Sequence, residues 1–361
     1  MKIVIIYLGR KGAGPEYAIE MTKALSKYTN ILCIISTYID NKKNWELLSQ
    51  NNQNIHIEWT PTYNSIMSFL TKSCNIFSYI HIVKVINKFH PDAIYSPMGH
   101  FWEKFIIPYC KCKMTIKTIH DVVLHHGEDS LKYKVIRWLF SYKAQKYVIL
   151  SSTFIPELNR RGISTSNIIV IPHAVFKGYN DNMNERDFKQ YNRFLFFGRI
   201  IKYKGIDVLL EALPKVIQKI PNVKLVIAGN GILQNEELIN SYKENIELHI
   251  KWIADNQVKE YFKDIDFVVL PYTHASQSGV IPLSYSFGKP VIATRVGGIP
   301  EQVENGKTGI LIEPNNIEEL ANSVSDLLSN KSLLKTMKDN CYDYASQNTW
   351  DYSAKILLKS I

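Results

Sequence analysis

Residues 271–301 read PYTHASQSGVIPLSYSFGKPVIATRVGGIPE. They follow an apolar run, Phe267 to Leu270, that reads as a buried parallel strand closed by Pro271. Ser276, Gln277, Ser278 and Gly279 make a small polar loop, and from Val280 to Phe287 the apolar residues fall at helical spacing. A loop that delivers its backbone into the first turn of a helix leaves N–H groups free there, and the helix dipole attracts anions to them. The amides of Ser278, Gly279 and Val280 are therefore expected to point at a phosphate, with Gly279 allowing its close approach. GKPVIATRVGG then supplies a turn, a second short strand and a glycine pair. The arrangement suits a nucleotide diphosphate lying across the ends of parallel strands, and equally an ordinary strand–loop–helix unit.

Outward from this stretch the chain alternates strand and helix. Lys2–Leu8 reads as a strand, GRKGAGPE as a tight glycine loop and Tyr17–Tyr28 as an amphipathic helix. Gly9, Gly12 and Gly14 fit neither the G-x-G-x-x-G spacing nor a Walker loop, so this βα unit has only the flavour of a phosphate loop. Ile31–Ser36, Ile55–Trp59, Ala93–Ser96 and Met114–Ile119 read as further strands, and Tyr63–Phe89 as a long apolar helical region carrying Lys72, Lys84 and Lys88. Such alternation predicts an α/β protein with doubly wound parallel sheets and a ligand crevice at the strand C-termini.

His120-Asp121 sits at one such end, where the imidazole could meet a substrate hydroxyl or phosphate. His125, His126 and Glu128 follow as acceptor-loop candidates. The spacing of His120, His125 and His126 matches no zinc helix, and no metal is expected. Residues 131–147, LKYKVIRWLFSYKAQKY, read as a helix mixing lysines with aromatics. That mixture suits an anionic membrane surface, or a helix on the sheet whose lysines snorkel to water. After a strand at Tyr147–Ser151 and another at Ile168–Pro172, residues 173–192 read as a polar linker. A new strand begins at Phe194, and beyond it Gly198, Arg199 and Lys204 stand between strand and helix, where two cations can clamp a diphosphate.

Composition sets limits. A chain of 361 residues, 46% hydrophobic and 21% charged, suits two globular domains. No apolar run approaches the roughly 20 residues needed to cross a bilayer, and the short apolar start reads as a buried strand of a cytoplasmic protein. The five cysteines read as reduced structural thiols. Net charge is +10, and residues 1–170 hold 21 Lys+Arg against 11 Asp+Glu, while the remainder balances at 22 against 22. The basic half is expected to meet something anionic, a membrane surface or a phosphorylated substrate; nucleic acid is disfavoured because no recognition motif accompanies the charge.

The segments GRIIKYKGID, VKLVIAGNG, DFVVLPY, GVIPLSYSFGKPVIATRVGGIPE and NGKTGILIEP stand in an order and spacing that resembles the nucleotide-sugar domain of family-four glycosyltransferases of the GT-B fold. The likeness is strong over roughly 194–346 and weaker earlier, where GAGPE, TIHD and IPHAV look like family positions. It implies two facing Rossmann-like domains with an interdomain cleft: an acceptor domain, 1–173, joined by a returning C-terminal helix at 347–361, and a donor domain, 174–346. It also implies sugar transfer with retention of configuration, no cofactor and no metal, and a UDP-sugar or GDP-sugar as co-substrate. By this resemblance Arg199 and Lys204, with Gly198, Gly14 and the backbone of Ser278, Gly279 and Val280, bind the donor diphosphate. Ile253 lies where the base is held, and His120 is the first-domain histidine at the donor sugar.

One departure stands out. The family usually carries two glutamates eight positions apart around this loop. Anchored on SGV those positions are Ser276 and Ser284, and anchored on GKP they are Ala275 and Leu283. With no carboxylate there, His274, Ser276 and Gln277 become candidates for the sugar hydroxyls and Glu301 for the ribose. The expected function is transfer of a sugar to a saccharide acceptor, lipid-linked through a polyprenyl diphosphate, at the inner face of a bacterial membrane, for capsule, O-antigen or a similar surface polysaccharide. The rival readings are a nucleotide-sugar epimerase of the same fold and a degenerate, non-catalytic nucleotide-sugar-binding partner.

Overall fold

A computed structural model describes residues 1–12, 14–123, 143–176 and 188–361. The chain forms two compact units, Met1–Pro172 with Trp350–Ile361, and His173–Thr349. Each is built on a parallel sheet, and central strands such as Lys2–Tyr7 and Phe267–Leu270 are near-continuous apolar runs because both their faces are buried.

In the first unit the strands are β1 (Lys2–Tyr7), β2 (Asn30–Ser36), β3 (Ile55–Thr60), β4 (Ala93–Ser96), β5 (Met114–Ile119), β6 (Lys146–Ile149) and β7 (Ile168–Val170), in the order β3-β2-β1-β4-β5-β6-β7. The chain winds outward from β1 to β3, then crosses back to β4, so the order reverses between β1 and β4. The second unit has β8 (Arg193–Phe197), β9 (Lys224–Gly229), β10 (Ile246–Ile250), β11 (Phe267–Leu270), β12 (Val291–Thr294) and β13 (Gly309–Ile312), ordered β10-β9-β8-β11-β12-β13. Its reversal lies between β8 and β11, and such a reversal opens a crevice at the strand C-termini. On β8, Phe194 and Phe196 enter one core layer while Leu195 enters the other.

One expectation is corrected and two are refined. The helical region at 63–89 is two helices, α3 (Ile66–Ser73) and α4 (Ile76–Phe89). Both have their own caps, since Ser65 Oγ accepts the Ser68 N–H at 3.1 Å and Asn75 Oδ1 accepts the Ser78 N–H at 3.4 Å. Of the helix expected at 131–147, residues 131–142 lie outside the described residues. Lys146 and Tyr147 belong to β6, whose ladder pairs them with Ile116 and Lys117 of β5. The polar linker at 173–192 is anchored where it is described. Val175 is fully buried and its N–H donates to the Asn348 carbonyl at 2.9 Å, because an apolar residue beside a core strand gains more from burial than from solvent.

The last helix, Trp350–Leu358, returns to the first unit and packs on α1 (Gly14–Leu25). The Trp350 ring meets Tyr17 edge-on at 4.9 Å, and Asp351 accepts from Tyr28 Oη at 2.8 Å and Lys27 Nζ at 3.2 Å. Trp350→Ala removes a large side chain that is only 5% exposed. It is expected to cost about 3–5 kcal/mol, read as a lowered urea midpoint for a probe in the first unit.

Candidate functional site

At the β8–β11 reversal the structure gathers most of the second-unit residues singled out from sequence. Beyond β8 the chain turns at Gly198, where the Gly229 backbone crosses so closely that a Cβ there would lie 1.7 Å from the Gly198 carbonyl. A single 3-10 turn, Lys202–Lys204, ends at Gly205 with φ of 69°. A Cβ on Gly205 would sit 1.8 Å from the Pro271 carbonyl oxygen, so the turn after β8 is pressed against the loop after β11. Thr273 N–H donates to the Tyr203 carbonyl at 2.9 Å and fixes the same contact.

Arg199 and Lys204 are carried by this turn. The exposed Arg199 donates through Nη2 to Tyr203 Oη at 3.2 Å. Lys204 Nζ stands 3.6 Å from the ring centroid of Tyr272 and 5.4 Å from that of Tyr203. Cation–π contact holds a lysine without an acid to quench its charge. The two tyrosines were not singled out from sequence. The signal was the aromatic lying between cations in RIIKYKG.

The loop at 273–280 is held from within. Ser278 N–H donates to Gln302 Oε1 at 2.8 Å, and Gln302 Nε2 donates back to the Ser278 carbonyl at 3.0 Å. Gly298 N–H donates to the Ser276 carbonyl at 3.1 Å. Val280 N–H meets Ser278 Oγ at 3.3 Å. Of the three amides expected to be free, two are thus engaged. Among the described residues Gly279 N–H alone of the three has no partner. The helix that follows is a short one, Val280–Ser286.

His274 Nδ1 donates to the Thr273 carbonyl at 2.8 Å, and Ser276 is buried. Gln277 Oε1 is buried and has no hydrogen-bond partner among the described residues. Glu301 is exposed on the helical turn Ile299–Gln302. Ile253 is partly buried against the core beyond β10, next to the exposed Trp252. Ser284 is fully buried, and its hydroxyl donates to the Lys289 carbonyl at 2.7 Å.

In the first unit the corresponding edge carries Gly14, buried at the start of α1 against Tyr7, and His120 beyond β5. His120 Nε2 donates to the Pro97 carbonyl at 2.8 Å, and its ring meets Tyr17 edge-on at 4.7 Å. Burial lowers its pKa, with Pro97 and Asp121 pulling the other way, so the imidazole is neutral at pH 7. His125, His126 and Glu128 lie outside the described residues. Among the described residues no cluster of His, Cys, Asp and Glu could hold a metal ion.

The loop after β4 contains a group that sequence reading missed. His100 is 5% exposed, its Nδ1 accepts the Trp102 N–H at 3.2 Å, and its Nε2 lies 3.3 Å from Tyr63 Oη. An accepting Nδ1 requires the neutral ring, and burial lowers the pKa from 6.5 to about 4. Near it the buried Glu103 accepts from Ser96 Oγ at 2.9 Å. Burial pushes its carboxyl up to about 8, against the pull of Lys117.

The chain is similar to several known glycosyltransferases. Residues 191–330 match the family model described as "Glycosyl transferases group 1". An uncharacterized glycosyltransferase of Methanocaldococcus jannaschii is 28% identical over 244 residues, 65% of this chain and 66% of that protein. The capsular polysaccharide biosynthesis glycosyltransferase CapM of Staphylococcus aureus is 27% identical over 264 residues, 69% of this chain and 64% of that one. The chain thus spans about two thirds of the length of these curated relatives. Among solved structures, Anabaena HepE in complex with UDP superposes with a TM-score of 0.73 at 19% identity, covering 100% of both chains. The same protein has been solved with UDP-glucose.

Two outcomes are expected. Gly205→Ala, strained in φ and overlapping a backbone carbonyl, should cost more than about 1 kcal/mol in urea unfolding of the second unit. A His whose folded pKa is depressed stabilises fully above its unfolded value and loses that contribution as pH falls towards the folded one. Wild type should therefore lose up to about 3 kcal/mol between pH 6.5 and 4 relative to His100→Gln, measured by denaturant titration at each pH.

Proposed function

We propose that the protein is a retaining glycosyltransferase of the hexosyltransferase type, a reading supported by the match of residues 191–330 to the group 1 glycosyltransferase model and by the GT-B fold. It takes a nucleotide-diphosphate sugar, a UDP-sugar or a GDP-sugar, at the β8–β11 edge of its second unit. The observation that carries this reading is the pair of cations, Arg199 and Lys204, set around Tyr203 on the turn that Gly205 presses against Pro271. That pair suits the charge that accumulates on a departing diphosphate. Gly198 and the unpaired amide of Gly279 complete the diphosphate contacts. His274, Ser276 and Gln277 serve the sugar, Glu301 the ribose and Ile253 the base. The buried, unpartnered Oε1 of Gln277 supports its part, since an acceptor without a donor is costly until a ligand hydroxyl supplies one.

With no carboxylate at positions 275, 276, 283 or 284, the reaction proceeds by front-face attack. The acceptor hydroxyl oxygen bonds to the anomeric carbon as its bond to the diphosphate oxygen breaks, and the hydroxyl proton passes to that leaving oxygen. Attack and departure on one face retain the configuration. His120, neutral and hydrogen-bonded to Pro97, positions a hydroxyl; Gly14 closes the loop near it. The acceptor is a saccharide, lipid-linked through a polyprenyl diphosphate, for capsule, O-antigen or a similar surface polysaccharide. The excess of lysines in residues 1–170 supports work at the inner face of an anionic membrane. Among the described residues no helix is long and apolar enough to cross one.

The absent glutamates and the internally paired amides of Ser278 and Val280 favour one second reading, a nucleotide-sugar-binding partner without catalysis. Thermal shift with UDP, GDP and their sugars tests the donor site, because a ligand of the folded state alone raises Tm. Arg199→Ala and Lys204→Ala should each weaken the responding nucleotide about tenfold to hundredfold and cut sugar transfer by about a hundredfold or more. Normal turnover in both variants would remove the clamp reading. Tight nucleotide binding with no transfer to any saccharide would favour the non-catalytic partner.

A further inference from the structure

The first unit carries an apolar surface that its own fold leaves uncovered. On α3, Ile66, Met67 and Leu70 share one face, with Ile66 84% exposed; on α4, Phe77 is 84% exposed and Ile76 and Ile80 accompany it. Tyr79, Ile82 and Ile86 turn inward on α4, so the outward face runs from Phe77 through Ile80 to Lys84 and Lys88. Contiguous large apolar side chains in water mark a docking surface.

Charge narrows the occupant. No acidic residue occurs between Glu58 and Asp92, whereas Lys72, Lys84 and Lys88 fall within that span. A second copy docked face to face would set these lysines against their like, with no acid from either copy's helices to pair them. An apolar patch edged by lysines that have no acidic partner among the described residues matches a bilayer with anionic headgroups.

The surface is firmly backed and well placed. Phe69 of α3 meets Tyr63 at 4.8 Å, Trp102 Nε1 donates to Ser73 Oγ at 2.8 Å, and Tyr79 meets Trp102 at 5.6 Å. Tyr63 in turn stacks on His100, in the loop whose Pro97 carbonyl holds His120. Because α3 begins just after β3, it lies at the sheet edge where β1, β4 and β5 also end.

We propose that the outward face of α3 and α4 docks the protein on an anionic bilayer, bringing the Gly14, His100 and His120 edge of the first unit beside the lipid headgroups. This deepens the membrane part of the proposed function and rests on it. It assigns the contact to residues 66–88.

The test is co-sedimentation of the whole chain with vesicles of phosphatidylcholine containing phosphatidylglycerol, beside vesicles of phosphatidylcholine alone. Wild type is expected to bind the anionic vesicles and release at high salt. Ile66→Ser combined with Phe77→Ser should lower partition at least about tenfold, and Lys84→Glu with Lys88→Glu about fivefold per lysine. Unchanged melting of these variants would show that they fold. Undiminished binding by folded variants would overturn this surface while leaving the membrane reading intact. Wild type that ignores anionic vesicles would overturn both, and equal binding to pure phosphatidylcholine would overturn the anionic partner. Loss of a dimer in the Ile66/Phe77 variant, without vesicle binding by wild type, would assign the face to a second copy. None of these outcomes bears on the nucleotide shift, which tests the donor site separately.

Discussion

Within each sheet every strand runs parallel to its neighbours, so every loop that follows a strand leaves at one edge of that sheet. That constraint decides where chemistry can occur. Right-handed crossovers return the chain behind the sheet, and only the reversal of strand order leaves a gap in the row of crossovers. Arg199 follows β8 and the 273–280 loop follows β11, the two strands on either side of that gap in the second unit. Gly14 and the His100 loop follow β1 and β4, its counterparts in the first.

A second constraint operates where the chain enters the second unit. Asp266 is fully buried, and its carboxylate accepts the N–H groups of Tyr191 at 3.1 Å and Arg193 at 3.0 Å, with Lys338 Nζ at 3.8 Å. Lys338 also donates to the Lys189 carbonyl at 3.1 Å. Lys289 donates to the Ile265 carbonyl at 2.7 Å, and burial, with Lys338 nearby, lowers its pKa to about 7. Backbone amides and a lysine share the load of one buried carboxylate, the condition under which such a charge is tolerated. The entering segment is thereby fixed to the strand that begins at Phe267.

What the sequence disclosed and what it concealed follow from range. β4 and β11 are short, mostly apolar runs and β5 alternates polar and apolar residues, and the limits of all three match the expected ones residue for residue. Helix ends were less visible. The break at Cys74-Asn75 depends on a cap whose side chain has to find one particular amide, and an apolar pattern runs across it undisturbed. The candidate site was legible as a pair of loops, since glycines and cations stand out locally. The clamp of Gln302 on Ser278 joins residues 24 apart and Tyr203 meets Thr273 across 70 positions, and no local pattern reports such contacts. Lys289 was read only as part of a turn, because the Ile265 carbonyl that holds its Nζ lies 24 positions away in the chain. The absence of glutamates was plain from sequence. That Ser276 and Ser284, two of the four positions in question, are buried with a carbonyl or hydroxyl already engaged required coordinates.

The helix Trp350–Leu358 belongs to a unit that the chain left at Pro172. The second unit is therefore, in topological terms, an insertion between the body of the first and its closing helix. During synthesis all residues of the second unit emerge before Trp350 does, and the face of α1 that holds Tyr17 waits uncovered for that whole interval. The later domain can finish folding first, and the earlier one is sealed only when the helix Trp350–Leu358 leaves the ribosome.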